Sequence, residues 1–233
     1  MNKPCYVFFD VDDTLIEWTV SWPEAFVRAA AEVGVSVPLE LAEDTLAHCL
    51  HTIYDDVVRA HAERGDERAC WLDYDAHVLA RLGVEKDLPQ AAERVVERLT
   101  APEAKRLFAD VRDTLSTLSA AGNRLGIITN RPCAAPDLAA LGVLDYFDPV
   151  IDVLGTGSTK GDGGVFRVAA DAAADARLQA WHVGDSYEGD VVGARAAGLR
   201  GVLIDRGSGH GAVDCPRITE LGQLVALVME EAG

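Results

Sequence analysis

The chain has 233 residues, enough for one large domain or for a domain with a sizeable insertion. Its hydrophobic fraction of 49% is typical of globular proteins, and its net charge of −17 disfavours binding to nucleic acid or an anionic membrane. Neither a membrane span nor the apolar core of a signal peptide is found. The five cysteines form no Cys-x-x-Cys pair, so we expect a protein of the reducing cytoplasm.

A short apolar segment at residues 6–9 is the first predicted element, and it runs directly into an acidic cluster. The consecutive apolar residues favour a buried strand of a parallel sheet. Ligands bind beyond the carboxyl ends of such strands, so Asp10 is expected at that edge. In a continued strand Asp10 and Asp12 would share one face, where a divalent cation could join their carboxylates. Alternatively, Asp12 and Asp13 begin a turn and Thr14 caps a helix.

No strand is predicted between about residues 17 and 100, where four helical patterns follow one another. Glycine ends each of the first three patterns. The helices are predicted at residues 23–33, 39–64, 67–82 and 89–99. This helical block directly follows the acidic cluster, so it is rooted at the edge of the sheet and could close over it as a lid.

From about residue 107 helices and strands alternate, which is typical of a parallel sheet covered by helices on both faces. Strands are predicted at residues 125–128, 150–154, 180–183 and 201–204. Helices are predicted at residues 110–121, 137–141, 165–176, 190–197 and 219–230. The predicted fold class is therefore α/β, with a doubly wound, Rossmann-like parallel sheet as core (residues 1–16 and 105–233) and an all-helical domain (residues 17–104).

Polar side chains follow the ends of the predicted strands. They are Asp10, Asp12, Thr129, Asn130, Lys160, Asp185 and Asp190. Singly, each has an ordinary explanation: Thr129 could end a strand, Lys160 could be a solvated charge, and the last two acids could begin a helix. Together they form a chemically complete set, because carboxylates can hold Mg²⁺ while a hydroxyl and an ammonium bind phosphoryl oxygens. A carboxylate can also act as the nucleophile, so the set predicts phosphoryl transfer.

Four segments resemble, in order, the motifs of the haloacid dehalogenase-like (HAD) hydrolase superfamily. They are residues 9–15 (FDVDDTL), 127–130 (IITN), 160–166 (KGDGGVF) and 182–198 (HVGDSYEGDVVGARAAG). The first and fourth segments are highly specific, and the resemblance covers the whole predicted core. The helical block is similar in position to the cap of the subgroup whose cap follows the first motif.

The resemblance implies a Mg²⁺-dependent phosphatase that acts on a small phosphorylated metabolite. Asp10 would be the nucleophile that forms an aspartyl-phosphate, and Asp12 would be the general acid and base. The metal would be held by Asp10, by the backbone carbonyl of Asp12 and by Asp185. Asp190 would act on the metal through water or orient its ligands.

The resemblance also implies that Thr129 and Lys160 bind the phosphate, helped by backbone N–H groups near Val11 and Asn130. One departure concerns the loop after Lys160, where glycines stand in place of the prolines usual in the family. Glycine costs more entropy to order, so we expect a looser loop and a less well placed Lys160. The departure removes no catalytic group.

Other functions stay open: a phosphomutase or other phosphoryl transferase, a dehalogenase, or a non-catalytic binding protein on the same scaffold. Dehalogenases typically lack the second Asp of the first motif, whereas this chain has Asp12. A non-catalytic protein would be expected to lack Asp10, Asp12 or Asp185. Trp22 and Arg59 are candidates for contact with the leaving group, although aromatic residues at helical spacing usually form core. The residues select neither a particular phosphorylated substrate nor an oligomeric state.

Overall fold

The computed structural model describes residues 3–62, 64–207 and 209–231. Contacts divide the chain into two compact units, Met1–Glu17 with Leu107–Gly233, and Trp18–Arg106. We refer to them as the core unit and the helical unit. Among the helices of the described ranges, none combines the length and the apolar character needed to cross a membrane.

A parallel sheet forms the centre of the core unit. The strands in chain order are β1 (Cys5–Phe9), β2 (Ile16–Trp18), β3 (Lys105–Leu107), β4 (Arg124–Ile128), β5 (Phe147–Ile151), β6 (Gln179–Gly184), β7 (Arg200–Ile204) and β8 (Arg217–Ile218). Six of them form the sheet, in the spatial order β5-β4-β1-β6-β7-β8. Strand β1 pairs in parallel with both β4 and β6. Strand β5 extends the sheet beyond β4, and β7 and β8 extend it beyond β6. The predicted doubly wound α/β fold is confirmed.

Helices occur in both units. Those of the helical unit are α1 (Trp22–Glu32), α2 (Leu39–Thr52), α3 (Tyr54–Ala62), α4 (Glu67–Arg81) and α5 (Leu88–Thr100). Those of the core unit are α6 (Val111–Ala120), α7 (Ala135–Ala140), α8 (Val153–Thr156), α9 (Gly164–Ala176), α10 (Gly193–Ala196) and α11 (Gly222–Glu231). A π-helical turn, Tyr187–Val192, precedes α10. Most of the predicted helices are confirmed, with differences of a few residues at their ends.

Helices cover both faces of β1, whose residues are all buried. On one face Val7 and Phe9 belong to an apolar cluster that includes residues of α6 and α11. On the other face Tyr6 and Phe8 pack in a second cluster with residues of α9. Successive strand residues point to opposite faces, so a strand packed on both sides is apolar throughout. This burial holds the carboxyl end of β1 in place.

The prediction of a single helix over residues 39–64 was wrong, because the chain forms two helices there. Helix α2 ends at Thr52, because the φ of −125° at the following Ile53 leaves the helical range, and α3 begins at Tyr54. Continuing the buried stripe of α2 beyond Cys49 would bury Ile53, yet Ile53 is half-buried and Tyr54 is buried. The break between the two helices therefore shifts the buried position by one residue, from Ile53 to Tyr54.

The strand predicted at residues 150–154 lies earlier in the chain, since β5 ends at Ile151 and Val153 begins α8. Pro149 lies inside β5, where the missing N–H is tolerated because β5 is the terminal strand of the sheet. Asp152 caps α8 by accepting a hydrogen bond from the Gly155 N–H at 2.7 Å. The short strands β2, β3 and β8 were not predicted, because two or three residues show no clear periodicity.

Aromatic side chains form a cluster inside the helical unit. They are Trp18, Trp22, Tyr54, Trp71 and Tyr74. Trp22 lies edge-on to Trp18 and Trp71, with ring centroids 5.4 and 5.8 Å apart. Arg59 forms ion pairs with Asp55 and Asp56 of its own helix, at 3.7 and 3.3 Å. Contact of Trp22 or Arg59 with a leaving group stays a prediction.

Asp75 is a buried acid in α4 of the helical unit, with 1% of its surface exposed. Within the described part of the chain its Oδ1 atom has no hydrogen-bond partner, and neither has the neighbouring Tyr74 hydroxyl. Burial raises the pKa of Asp75 well above its usual value. The folded protein therefore keeps Asp75 protonated at pH values where an unfolded chain would release the proton.

We expect Asp75→Asn to stabilise the protein at about pH 8 and to have little effect near pH 4. The raised pKa means that Asp75 favours folding below its unfolded pKa, and that this contribution is lost as the pH rises toward the folded pKa. The loss is about 1.4 kcal/mol per pH unit within that window. Urea unfolding of both proteins across this pH range measures it, with Asp44→Asn on the exposed face of α2 as control. A variant less stable than the wild type at every pH would contradict the prediction.

Candidate active site

The carboxyl ends of β1 and β6 bring two aspartates to the same edge of the sheet. Asp10 directly follows β1, and its N–H donates to the Val183 carbonyl at 2.9 Å, which extends the pairing of β1 with β6. Asp185 directly follows Gly184, the last residue of β6. A Cβ atom on Gly184 would lie 2.1 Å from Cγ of Asp190, so only glycine allows Asp190 to pack against the end of the strand.

Three carboxylates and one ammonium meet at this edge. Carboxylate oxygens of Asp10, Asp185 and Asp190 lie within 4.8 Å of one another. Lys160 is buried, and its Nζ donates hydrogen bonds to Asp10 and, at 2.6 Å, to Asp190. One ammonium facing three carboxylates leaves the cluster negatively charged when all of them are ionised. Because Mg²⁺ prefers oxygen ligands, this donor set fits a hard divalent cation.

Asp190 is held by donors on both of its carboxylate oxygens. Its Oδ1 lies 2.8 Å from Nε2 of the fully buried His182, and its Oδ2 accepts the Ser186 N–H at 3.0 Å. Burial by itself would raise the pKa of Asp190, but the Lys160 charge and the His182 hydrogen bond lower it below the usual range. Asp190 is therefore ionised, and its contacts suit it to anchoring Lys160.

Burial and charge shift the pKa values of the neighbouring groups as well. Burial raises the pKa of Asp10 well above its usual range, although the Lys160 charge opposes this shift. Burial, together with the charge of Asp190, raises the pKa of Asp185 to about 6. Burial lowers the pKa of Lys160, but Asp10 and Asp190 outweigh this effect, so Lys160 remains protonated.

Thr129 and Asn130 follow β4, next to β1 in the sheet. Thr129 is buried, and its N–H donates to the Ile151 carbonyl at 3.0 Å. The Asn130 side chain accepts the Lys160 N–H at 2.8 Å and so fixes the backbone that carries the buried ammonium. A further hydrogen bond holds the glycine-rich loop, because Asp162 accepts the Gly164 N–H at 2.8 Å. The expected looseness of this loop is therefore opposed by local hydrogen bonds.

Strand β1 ends at Phe9, so Asp10 and Asp12 both lie beyond it, and the continued strand in which they would share a face is not formed. The chain turns here, with a φ of 55° at Asp13 and an isolated bridge between Asp12 and Ile16. Asp12 lies outside the three-carboxylate cluster, and its Oδ1 lies 3.6 Å from a guanidinium nitrogen of Arg131. The alternative is confirmed for the turn, but its second part was wrong, because Thr14 lies in the turn and strand β2, not a helix, follows it.

Two polar residues beside the cluster, Arg131 and His182, were not predicted as site residues. Arg131 directly follows the Thr-Asn pair of the second motif, and His182 begins the fourth. A histidine among apolar residues of a buried strand requires a polar partner, and this requirement is a signal in the sequence. The partner itself, Asp190, becomes apparent only in the fold.

A doubly wound sheet with carboxylates and a buried ammonium at its carboxyl edge defines the core of an α/β enzyme. The family model for the haloacid dehalogenase-like hydrolases matches residues 6–198. The chain belongs to this family of hydrolases, which confirms the resemblance of the four motifs.

Similar proteins include one relative named for a phosphatase activity and two solved structures. The chain is 34% identical to the phosphoglycolate phosphatase of Shigella boydii over 89% of this chain and 84% of the relative. A crystal structure of a HAD phosphatase from Thermococcus onnurineus shares the fold, with a TM-score of 0.67, 24% identity and coverages of 97% and 98%. A 2-haloacid dehalogenase from Pseudomonas syringae has a TM-score of 0.61, 27% identity and coverages of 99% and 100%. The same fold is therefore found in a phosphatase and in a dehalogenase.

Proposed function

We propose that this enzyme is a phosphatase that hydrolyses small phosphate monoesters through an aspartyl-phosphate on Asp10, with Mg²⁺ as cofactor. The observation that carries the proposal is the convergence of Asp10, Lys160 and Asp185 at one edge of the sheet, with Asp12 two residues after Asp10. The relative named phosphoglycolate phosphatase supports the same class of reaction.

In the first step a carboxylate oxygen of Asp10, which the Lys160 charge and a bound Mg²⁺ would keep ionised against the effect of burial, attacks phosphorus, and the bond between phosphorus and the ester oxygen breaks. Asp12 donates a proton to the leaving oxygen, so the product departs as an alcohol. In the second step Asp12 takes a proton from a water molecule that attacks the aspartyl-phosphate. Inorganic phosphate leaves, and both carboxyl groups return to their starting states.

Lys160 and Thr129 are the proposed ligands of the phosphoryl oxygens. Lys160 carries a positive charge beside Asp10, where the phosphorus must lie during the attack. Phosphoryl transfer depends mainly on positioning and on neutralising charge, and a fixed ammonium supplies both. Asn130 contributes by holding the Lys160 backbone.

Mg²⁺ would be held by Asp10, the backbone carbonyl of Asp12 and Asp185, and it would neutralise charge on the phosphoryl oxygens. The hydrogen bonds on both oxygens of Asp190 support an indirect role for this residue, which orients the site or binds through water.

Asp12 is the residue that favours phosphatase over dehalogenase chemistry. A halide leaves as a stable anion and needs no proton, whereas an alkoxide needs a donor. Asp12 follows Asp10 by two residues and is half-buried, as suits a group that exchanges protons with substrate and water. The predicted role of the helical domain (residues 17–104) as a lid is part of this proposal.

We expect Mg²⁺-dependent release of p-nitrophenol from p-nitrophenyl phosphate, loss of this activity in EDTA, and no chloride release from 2-chloropropionate. Beryllofluoride resembles a phosphoryl group on aspartate, so with Mg²⁺ it should raise the melting temperature. Turnover no greater than that of Asp10→Ala, without a thermal shift, would favour a non-catalytic binding protein. A panel of phosphorylated metabolites then ranks the natural substrates by kcat/KM.

A further inference from the structure

Arg131 is a buried cation between two carboxylates of the core unit. One guanidinium nitrogen lies 2.6 Å from Oδ2 of Asp137 in the first turn of α7, and another lies 3.6 Å from Oδ1 of Asp12. Only 6% of Arg131 is exposed. Burying a guanidinium is costly unless it is paired, and Asp137 supplies the closer pair. The other terminal nitrogen of the Arg131 guanidinium is thereby directed at Asp12, the proposed general acid.

The backbone around Arg131 is as well fixed as its side chain. Its N–H donates to Oγ1 of Thr129 at 3.2 Å, and its carbonyl accepts the Val153 N–H at 3.4 Å. Arg131 therefore extends from the same short segment that carries Thr129, a proposed phosphate ligand, and Asn130, which holds the Lys160 backbone. Asp12 lies beyond the end of β1, so its carboxyl group is not oriented by the strand, and the guanidinium of Arg131 is a contact that can orient it.

Resting on the proposed function, we propose that Arg131 is a positioning residue that holds the Asp12 carboxyl group where it meets the leaving oxygen. At 3.6 Å the contact with Asp12 is an ion pair and not a hydrogen bond, so by itself it occupies no lone pair of the carboxylate. Arginine can serve both carboxylates at once because its nitrogens form a planar fork. Lysine has a single nitrogen and cannot do the same.

This role predicts a dependence on the leaving group. Phenyl phosphate and p-nitrophenyl phosphate have nearly the same shape, but phenolate is much the stronger base and needs protonation as it leaves. A misplaced general acid should therefore slow phenyl phosphate far more than p-nitrophenyl phosphate. The measurement is kcat/KM for each ester, because this parameter reports the step in which the ester bond breaks.

We expect Arg131→Lys to lower the ratio of the two kcat/KM values (phenyl over p-nitrophenyl) by roughly tenfold or more, within the range of general-acid effects. The lysine keeps a positive charge opposite Asp137, so the variant should fold, and the melting temperature verifies this. Arg131→Met should lower the ratio at least as much. Arg112→Lys is the matched control, since Arg112 in α6 donates to the carbonyls of Leu141 and Gly142, and the ratio of the two kcat/KM values should be unchanged in this variant.

A double variant separates positioning from a general loss of structure. Asp12→Asn should itself lower the ratio, and adding Arg131→Met to it should lower the ratio no further, because the two residues act through one proton transfer. The proposal would be overturned if Arg131→Lys slowed both esters by the same factor and left the ratio within twofold of the wild type. A wild-type enzyme without turnover of either ester would instead refute the proposed function itself.

Discussion

Asp10→Asn is expected to abolish turnover, with a loss of roughly 10⁴-fold or more in kcat, as in enzymes that lose a covalent nucleophile. The amide cannot form a stable acyl-phosphate, although it keeps nearly the same shape at the buried end of β1. The fold should survive, because Lys160 retains its hydrogen bond to Asp190 at 2.6 Å. Steady-state assays with p-nitrophenyl phosphate measure the loss. Acid-quenched labelling with a radioactive phosphate ester measures the absence of the phosphoenzyme.

Two further variants make this result specific. The introduced asparagine could revert to aspartate by deamidation, so Asp10→Ala is assayed beside it and the intact mass of each sample is recorded. Asp171→Asn, an exposed aspartate of α9, is the matched control and should retain full activity. Labelling of the Asp10→Ala protein at the wild-type level would show that another residue is the nucleophile.

Lys160→Met is expected to cost about 3–5 kcal/mol of stability near neutral pH, because it leaves buried carboxylates without their counter-charge. Lys160 is the cation that hydrogen-bonds to both Asp10 and Asp190, and all three side chains are buried. Urea unfolding in EDTA measures the change without a contribution from metal binding. The loss should shrink on acidification, because protonated carboxyl groups no longer repel each other.

The double variant Lys160→Met/Asp190→Asn tests the cause of this loss. Removing one carboxylate along with the ammonium leaves a smaller uncompensated charge, so the double variant should be more stable than Lys160→Met alone. His182 can still donate to the amide oxygen at position 190 if its Nε2 carries the proton. A Lys160→Met protein that loses less than about 1 kcal/mol would contradict a structural role for this ion cluster.

The order of elements was predictable from local sequence. The apolar residues of β1 and the alternation of helices and strands after residue 107 led to the doubly wound fold. Both patterns reflect burial on two faces of a sheet, which acts on adjacent residues. The break at Ile53 and the early position of β5 were missed because they depend on which neighbour covers each side chain.

The candidate residues of the site were predictable for a related reason. Parallel strands present their carboxyl ends at one edge, so polar residues after strands were expected to meet. Asp10, Asp185 and Asp190 do meet, and Lys160 lies among them. Asp12 lies beyond the end of β1, and directly after it the positive φ of 55° at Asp13 turns the chain.

Local sequence thus determined which chemical groups the chain carries, and that these groups follow strand ends at the carboxyl edge of the sheet. Only the tertiary structure decided the partners of these groups. Lys160 is hydrogen-bonded to Asp10 across 150 sequence positions, and Arg131 forms ion pairs with both Asp12 and Asp137. Burial and long-range charge set the pKa values and orientations of these groups. Periodicity along the chain describes neither effect, because both arise between segments that only folding brings together.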